Sequence, residues 1–479
     1  DVHSPDLKAT QRDEKDPLAQ RPTRVRQVAD ALGPDNILSD PDELLVYECD
    51  GFPIAKGWPT AVVFPTSTDQ VSKVIRTLVK HHLQIVPRGS GTGLAGGAVV
   101  YDEGVLVTTS RMTQIERIDL PSRYAGVQAG LRNVALTDAL AGSGYHFSPD
   151  PSSQRASTIG GNASTNAGGI NTLKHGVTTN HILGMEFVLS DGTVMQTRIG
   201  GSCDGVGPDL PGLLCGSEGT FALLTRVWCR IVPRPQHFRT FYAVYDSTQD
   251  ACKTVSDVIA AGIVPTSMEM MDGAMIQAVE EAFHFGFPLT AKALLLLEVD
   301  GIEEILDAQM QEIVAIAEAN NAHDIMSCSD PAKRAQLWSA RKKAFGAVGR
   351  LSHSYCTQDA CVPRSMLPQV MAQVAELGEK FDLKIANVFH AGDGNIHPIL
   401  LFDEDDPEQV QRVMHLSEEI LEYCISVGGT ITGEHGVGVE KLHLMEKMFN
   451  PQTIDAFDRI KRAFDPDRRI NDAKLIPSD

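Results

Sequence analysis

The stretch Pro87-Arg-Gly-Ser-Gly-Thr-Gly-Leu-Ala-Gly-Gly97 constrains the fold more than any other part of the chain. It contains Gly91-x-Gly93-x-x-Gly96, the spacing of a Rossmann phosphate loop. Such a loop must open a helix whose N-terminus receives the pyrophosphate. Here Ala98-Val-Val-Tyr-Asp-Glu-Gly-Val-Leu-Val107 follows, which offers only a turn and another strand, so the context argues against a nicotinamide-type Rossmann domain. What remains is a row of backbone amides without side-chain bulk, able to wrap an anion as a nest. Ser157-Thr-Ile-Gly-Gly-Asn-Ala-Ser-Thr-Asn-Ala-Gly-Gly169 is a second such run and Cys215-Gly-Ser-Glu-Gly-Thr220 a third. One loop of this kind reads equally well as a set of tight turns. Three in one region point to a bulky cofactor carrying a diphosphate.

Around these loops, short strand and helix signals alternate from Pro59 to about Pro235. Ala61-Val-Val-Phe64 reads as a strand, and Val71, Val74, Ile75, Leu78 and Val79 keep helical spacing behind Ser67 and Thr68 as caps. Gln84-Ile-Val86 returns as a strand, residues 184–196 read as a hairpin turning at Asp191-Gly192, and Phe221 to Val232 as a long strand. Pro233 and Pro235 mark a boundary. Beyond it, strands near 239–245 and 292–299 alternate with helices near 249–261 and 303–319, the order of a strand and helix sandwich. Helices near 334–349 and 367–381 follow, and two more, Glu440–Phe449 and Thr453–Phe464, are expected at the end.

Between them lies His390-Ala-Gly-Asp-Gly-Asn-Ile-His397, with Gly433-Glu-His-Gly436 some forty residues later. Ile385–Phe389 and Ile396–Phe402 read as strands, and Asp393-Gly394 suits a two-residue turn. In that register His390 faces His397, and opposed residues have Cβ atoms roughly 4.5–5.5 Å apart, close enough to share a metal ion. Glu434 and His435 would supply a third ligand and a base. Gly433, Gly436 and Gly438 would let the backbone bring neighbouring side chains to one point. The plainer alternative is a polar hairpin with two solvated histidines.

A chain of 479 residues with 42% hydrophobic content divides into two or three domains. Its 62 acidic against 42 basic residues, a net charge of −20, speak against nucleic acid or an anionic membrane surface as main partner. Apolar runs such as Ala293-Leu-Leu-Leu-Leu297 are far short of a transmembrane segment, no secretory leader pattern opens the chain, and the first twenty residues are expected to fray. Nine scattered cysteines without a Cys-x-x-Cys suggest reduced thiols, a cytoplasmic setting and no iron–sulfur cluster of the chain's own.

Taken together, the loop at 87–97, Thr158-Ile-Gly-Gly-Asn162, Gly216-Ser-Glu-Gly-Thr220, His390 to His397 and Gly433-Glu-His-Gly436 resemble the FAD-linked oxidases of the vanillyl-alcohol oxidase type. Within them, the chain is most similar to the group of glycolate oxidase flavin subunits, D-lactate dehydrogenases and D-2-hydroxyglutarate dehydrogenases. The resemblance implies an α+β fold. A partly flexible, then helical segment (1–58) would precede a PCMH-type FAD-binding domain of two α+β subdomains (59–235). An antiparallel-sheet-and-helix cap domain (236–430) and a C-terminal helical segment completing the active site (431–479) would follow. It implies FAD contacts at Pro87, Arg88, Gly89, Ser90, Gly91, Thr92, Gly93, Leu94, Pro151, Ser152, Thr158, Gly160, Gly161, Asn162, Thr165, Asn166, Gly169, Gly176, Glu218, Gly219 and Asn471. The flavin would be non-covalent, because no histidine lies between Pro87 and Gly97. His390, His397 and Glu434 would hold a divalent metal, zinc first with manganese or iron as rivals, and His435 would be the base. Arg341 would grip a substrate carboxylate through its guanidinium fork.

The implied reaction oxidises a D-2-hydroxy acid to the 2-oxo acid, with hydride passing to flavin N5. A cation suits it by stabilising a developing alkoxide, and an imidazole by taking the proton near neutrality. Relatives acting on D-2-hydroxyglutarate carry a threonine and a lysine where this chain has Phe345 and Cys356, which favours glycolate or D-lactate, with D-2-hydroxyglutarate as alternative. Gly346-Ala-Val-Gly-Arg350 points the same way. Asn471-Asp-Ala-Lys474 departs from the usual Asn-Pro-Gly-Lys, leaving the tail's contacts open. Electrons would leave to a quinone, a flavoprotein or an iron–sulfur partner subunit, with peripheral placement at the inner membrane through that partner, and a homodimer is compatible. A non-redox flavin-dependent transferase resembling ether-lipid synthase is the more distant alternative.

Overall fold

The computed structural model describes residues 27–29, 32–101, 104–197 and 207–477. The expectation for the first twenty residues lies outside these. The chain divides into two units by internal contacts. The first comprises the described residues of Asp1–Ala167, Val177–Pro233 and Glu434–Asp479, and the second Gly168–Gly176 with Arg234–Gly433.

The first unit holds two sheets. A small one orders Ile37–Leu38, Ala61–Val63, Val105–Thr108 and Ile85–Arg88, the last three parallel. The helix Thr68–Lys80 connects its first two long strands: Ser67 caps it by accepting from the Gln70 N–H, and Val71, Val74, Ile75 and Leu78 face the core. Fully burying each such side chain contributes about 1.5–3 kcal/mol, which outweighs the modest helix propensity of the valines and isoleucine. After Ile85–Arg88 the described residues among 89–104 turn without a helix, and the chain re-enters the sheet at Val105. The glycine run is therefore not a Rossmann loop. The second sheet is antiparallel, in the order Ile115–Asp119, Tyr124–Gln128, Leu223–Arg230, Ile182–Val188 and Val194–Gln196. Helix Pro451–Phe464 docks Phe457, Ile460 and Phe464 on its core, with the Phe464 ring stacked 5.4 Å from Phe221.

The second unit is built on a sheet in the order His323–Cys328, His237–Tyr245, Ala293–Gly301, Ser267–Asp272, Lys384–Phe389, Pro398–Phe402 and Ser354–Thr357. Its third strand, Ala293–Gly301, carries the leucine run and is buried from Ala293 to Val299. Successive strand residues point to opposite faces. Leu294 and Leu296 pack with Met275, Ile276, Val279 and Leu337 from helices Gly273–Phe283 and Pro331–Val348. Helices Thr248–Ala260 and Glu303–Ala319 also contact this strand.

Two expectations are corrected. The helix foreseen over Glu440–Phe449 is a 3₁₀ turn, Leu442–Leu444, followed by the single turn Met445–Met448. The hairpin register also differs: Asn387 pairs with Pro398 and His390 bridges Asn395, so residues 391–394 form a four-residue turn. His397 consequently lies diagonal to His390. The displacement is two residues, and because side-chain facing has period two, both imidazoles stay on one face. No helix among the described residues is long and apolar enough to cross a membrane.

Candidate active site

Within the second unit, the hairpin brings His390 and His397 together with ring centroids 5.3 Å apart and planes at 85°. They are 4% and 1% exposed, which excludes the reading of two solvated histidines. His390 Nδ1 lies 2.7 Å from Glu269 Oε1. His397 Nδ1 lies 3.3 Å from the Gln358 carbonyl oxygen and 3.8 Å from Asp359 Oδ1, so the carbonyl is the closer partner. Carboxylates and carbonyls only accept, so each Nδ1 carries a proton, and in the neutral imidazole Nε2 is then the ligand atom. This is how metal-ligating histidines are oriented from behind, and ring nitrogens of the pair lie within 4.8 Å of one another. The donor set fits a divalent ion of borderline softness.

Asp359 ties the neighbourhood together. Its carboxylate accepts from Asn395 Nδ2 at 2.7 Å, Thr432 Oγ1 at 2.5 Å and the Gly433 N–H at 2.8 Å. Gly433 has to be glycine: a Cβ there would sit 1.6 Å from Asn395 Nδ2. Glu434 and His435 follow it directly in the chain and open the C-terminal segment of the first unit.

Arg341, on helix Pro331–Val348, is 2% exposed. Its Nε donates to Glu269 Oε2 at 2.7 Å, and Nη2 lies 2.6 Å from the same oxygen, off the hydrogen-bond axis. Glu269 therefore holds Arg341 with one oxygen and faces His390 with the other. Sequence reading missed Glu269, Gln358 and Asp359. Glu269 had a signal, since a carboxylate in the strand Ser267-Met-Glu-Met-Met-Asp272, amid methionines, needs a buried partner. Four residues beyond Arg341, the Phe345 ring stands edge-on to His397 with centroids 6.4 Å apart. Cys356 is buried, its Sγ 3.3 Å from Gln358 Nε2.

In the first unit the three glycine loops meet. Ser90 Oγ donates to the Ala156 carbonyl, and a Cβ on Gly89 would reach within 2.4 Å of Thr158 Oγ1. The N–H groups of Ser90, Gly91, Thr92, Gly93 and Leu94 donate to no acceptor among the described residues, as a diphosphate cradle requires. Thr158 caps the helix Ile159–Thr165 that carries Gly160, Gly161, Asn162 and Thr165, and Asn166 ends it in the left-handed region at φ 52°. Pro151 and Ser152 precede that helix. Gly169 and Gly176 belong to the second unit.

Glu218 and Asn471 also tie the loops to the C-terminal segment. Glu218 donates its N–H to the Ser164 carbonyl, its carbonyl accepts from Asn471 Nδ2, and its carboxylate accepts the Val437 and Gly438 N–H groups at 2.6 and 2.7 Å. Burial pushes its pKa up against those two bonds. Asn471 Nδ2 also donates to Gly97 O, and Lys474 Nζ donates to the carbonyls of Gly97 and Val99. The tail thus grips the first loop despite its departure from the usual motif. The cost shows at Ala473, held at φ 60°. Burial brings Lys474 down to about 7, against the opposing pull of Asp50 and Glu218.

Known proteins agree with this architecture. The family model described as FAD binding domain matches residues 59–198, and that of FAD linked oxidases, C-terminal domain, matches 234–475. The chain is 41% identical over 442 residues to the glycolate oxidase subunit GlcD of Escherichia coli strain K12, covering 92% of this chain and 88% of that one. It is 30% identical to the mitochondrial D-lactate dehydrogenase [cytochrome] of Arabidopsis thaliana, over 92% and 78%. Among solved structures, p-cresol methylhydroxylase with substrate bound aligns with a TM-score of 0.79 at 19% identity, covering 96% of each chain. The 4-ethylphenol oxidase of Gulosibacter chungangensis aligns with 0.80 at 18% identity, over 97% and 99%. These last two speak for the fold, which is α+β with a PCMH-type flavin-binding region. On these matches the chain belongs to the FAD-linked oxidases and is an FAD-dependent oxidoreductase.

Proposed function

We propose that the chain oxidises a small D-2-hydroxy acid, glycolate or D-lactate, to the 2-oxo acid. The observation that carries this reading is the buried pair His390 and His397, each with Nδ1 facing an acceptor so that Nε2 is the ligand atom. Glu434, bonded directly to the anchored Gly433, completes the metal set, with zinc ahead of manganese or iron. A bound divalent cation supplies a Lewis acid, and bound non-covalent FAD supplies an acceptor for two electrons and one proton.

The chain's own residues do the rest. Arg341 presents the Nη1 and Nη2 end of its guanidinium to the substrate carboxylate, because Glu269 occupies the Nε and Nη2 edge. His435 takes the hydroxyl proton. The amides of Ser90 to Leu94, with Thr158, Gly160, Gly161, Asn162 and Gly219, hold the flavin diphosphate. Pro87, Arg88, Gly89, Pro151, Ser152, Thr165, Asn166, Gly169 and Gly176 line its path, and Glu218 and Asn471 keep the loops in place. The apolar Phe345 beside His397, where a distal carboxylate would need a cation, supports a short side chain over D-2-hydroxyglutarate. Electrons then pass to a quinone, a flavoprotein or an iron–sulfur partner, compatible with a cytoplasmic enzyme at the inner membrane surface. A homodimer is equally compatible.

The test is an anaerobic visible spectrum of the holoprotein with glycolate, D-lactate, L-lactate or D-2-hydroxyglutarate added singly, with and without a chelator. Bleaching of the flavin band by glycolate or D-lactate, lost after chelation, is expected. Bleaching by D-2-hydroxyglutarate alone, or bleaching indifferent to chelation, overturns the substrate or the metal assignment respectively.

A further inference from the structure

The sheet of the second unit carries two buried glutamates on neighbouring strands, and both bind arginines of the helix Pro331–Val348. Glu298, on Ala293–Gly301, accepts from Arg334 Nε at 2.6 Å and Nη2 at 2.7 Å, from Trp338 Nε1 at 2.9 Å and from Thr240 Oγ1 at 2.8 Å. Every one of these donors is part of the scaffold. Glu269, on Ser267–Asp272, accepts from Arg341 through Oε2 and faces His390 Nδ1 through Oε1, and all three residues are less than 5% exposed. Its two partners are the substrate arginine and a metal ligand of the reading above.

We infer that Glu269 is a positioning residue that sets the His390 tautomer and the Arg341 orientation together, coupling metal affinity to substrate affinity through one carboxylate. The inference rests on the metal and substrate roles given under the proposed function. Arg341 has donors and no acceptor, so it claims Oε2 and turns Oε1 toward the imidazole. Oε1 then fixes the proton on Nδ1 and leaves the Nε2 lone pair for the metal. Two donors converge on this side chain, so only a group with two acceptors satisfies both. Glutamine offers one acceptor and one donor. Whichever way its amide turns, the NH₂ opposes either the guanidinium or Nδ1–H, and in the second case His390 must move its proton to Nε2 to stay hydrogen-bonded. Aspartate keeps both acceptors at a shorter reach.

The experiment compares FAD-loaded full-chain wild type, Glu269→Gln, Glu269→Asp and Glu298→Gln. Zinc affinity is measured by competition with a chromophoric chelator, alongside flavin content, thermal melting and steady-state kinetics on glycolate. Glu269→Gln is expected to lose roughly 10- to 100-fold in zinc affinity, the usual loss when a partner of a ligating histidine is removed, and to raise KM. Glu269→Asp should recover part of both, and Glu298→Gln should melt lower while taking up zinc like the wild type. Wild-type zinc affinity in Glu269→Gln overturns the inference and leaves the proposed function standing, as does zinc affinity that falls in Glu269→Asp as far as in Glu269→Gln. A wild type that takes up no zinc overturns the metal reading itself.

Discussion

The glycine loops of the first unit and the histidine hairpin of the second solve opposite problems. The loops work by what they lack: the backbone amides from Ser90 to Leu94 donate to no acceptor among the described residues, and the scaffold beside them joins the main-chain groups of Ala163, Ser164, Glu218 and Gly97 through backbone N–H groups and the Asn471 side-chain amide. The hairpin works by what it concentrates. Two imidazoles, Glu269, Asp359 and Arg341 are buried at one place and each is held by another. The difference teaches that the first site tolerates change in any single side chain that leaves the loop path intact. In the second, each side chain sets the state of its neighbour.

The sharpest test of that contrast is His397→Ala or His435→Ala. Under the proposed function, turnover in His435→Ala falls by on the order of 10²–10⁴-fold, the range for loss of a positioned acid–base group, and His397→Ala loses turnover together with zinc, while the flavin spectrum of the purified protein stays unchanged in both. Flavin lost together with turnover would break the separation of the two regions. Gly433→Ala comes next. A Cβ 1.6 Å from Asn395 Nδ2 must push aside the Asn395 amide that Asp359 holds or the segment leading into Glu434, so zinc uptake measured by chelator competition should drop with FAD retained.

On the loop side, Lys474→Met should leave the carbonyls of Gly97 and Val99 short of a donor, costing about 1–3 kcal/mol, read as weaker FAD retention on dilution and a lower melting temperature. It should also change the pH profile. The folded state holds Lys474 at about 7 and the unfolded chain near its ordinary 10.5, so between these values the unfolded state binds the extra proton. Stability from this group therefore rises as pH climbs from about 7 toward 10.5. Melting curves across that range should lose this part of their slope in Lys474→Met. The smallest effect is Ala473→Gly. Relief of the left-handed backbone at φ 60° is worth about 1–2 kcal/mol and is partly offset by the freer unfolded chain, about 0.4–1 kcal/mol, so the melting temperature should rise slightly.

Much of the scaffold was legible because its signals are local. Ser67 followed by the apolar spacing of Val71 to Leu78 carries its own helix, and Asp191-Gly192 its own turn. The failures share a cause. The segment Glu440–Phe449 has helical spacing, but Glu218 claims the Val437 and Gly438 amides just before it and Lys441 is buried, so the chain there follows tertiary anchors instead of its period. The Asp393-Gly394 pair suggested a two-residue turn. Pairing of Asn395 and Ile396 with Ala360 and Cys361, and of Asn395 with Asp359, sets the longer turn instead.

The chain's own residues were enough to exclude a Rossmann loop, to mark three glycine-rich loops that meet in the first unit, and to single out His390, His397, Glu434 and His435 as candidates, because each is a short motif readable within a few residues. Only the tertiary structure decided what stands behind those motifs. Glu269 lies 121 residues from His390 and 72 from Arg341, and the Asp359 carboxylate reaches Asn395, Thr432 and Gly433 across 36 to 74 residues. A buried polar group takes whichever partner the fold delivers, and that delivery depends on sheet order and register, which no local pattern encodes.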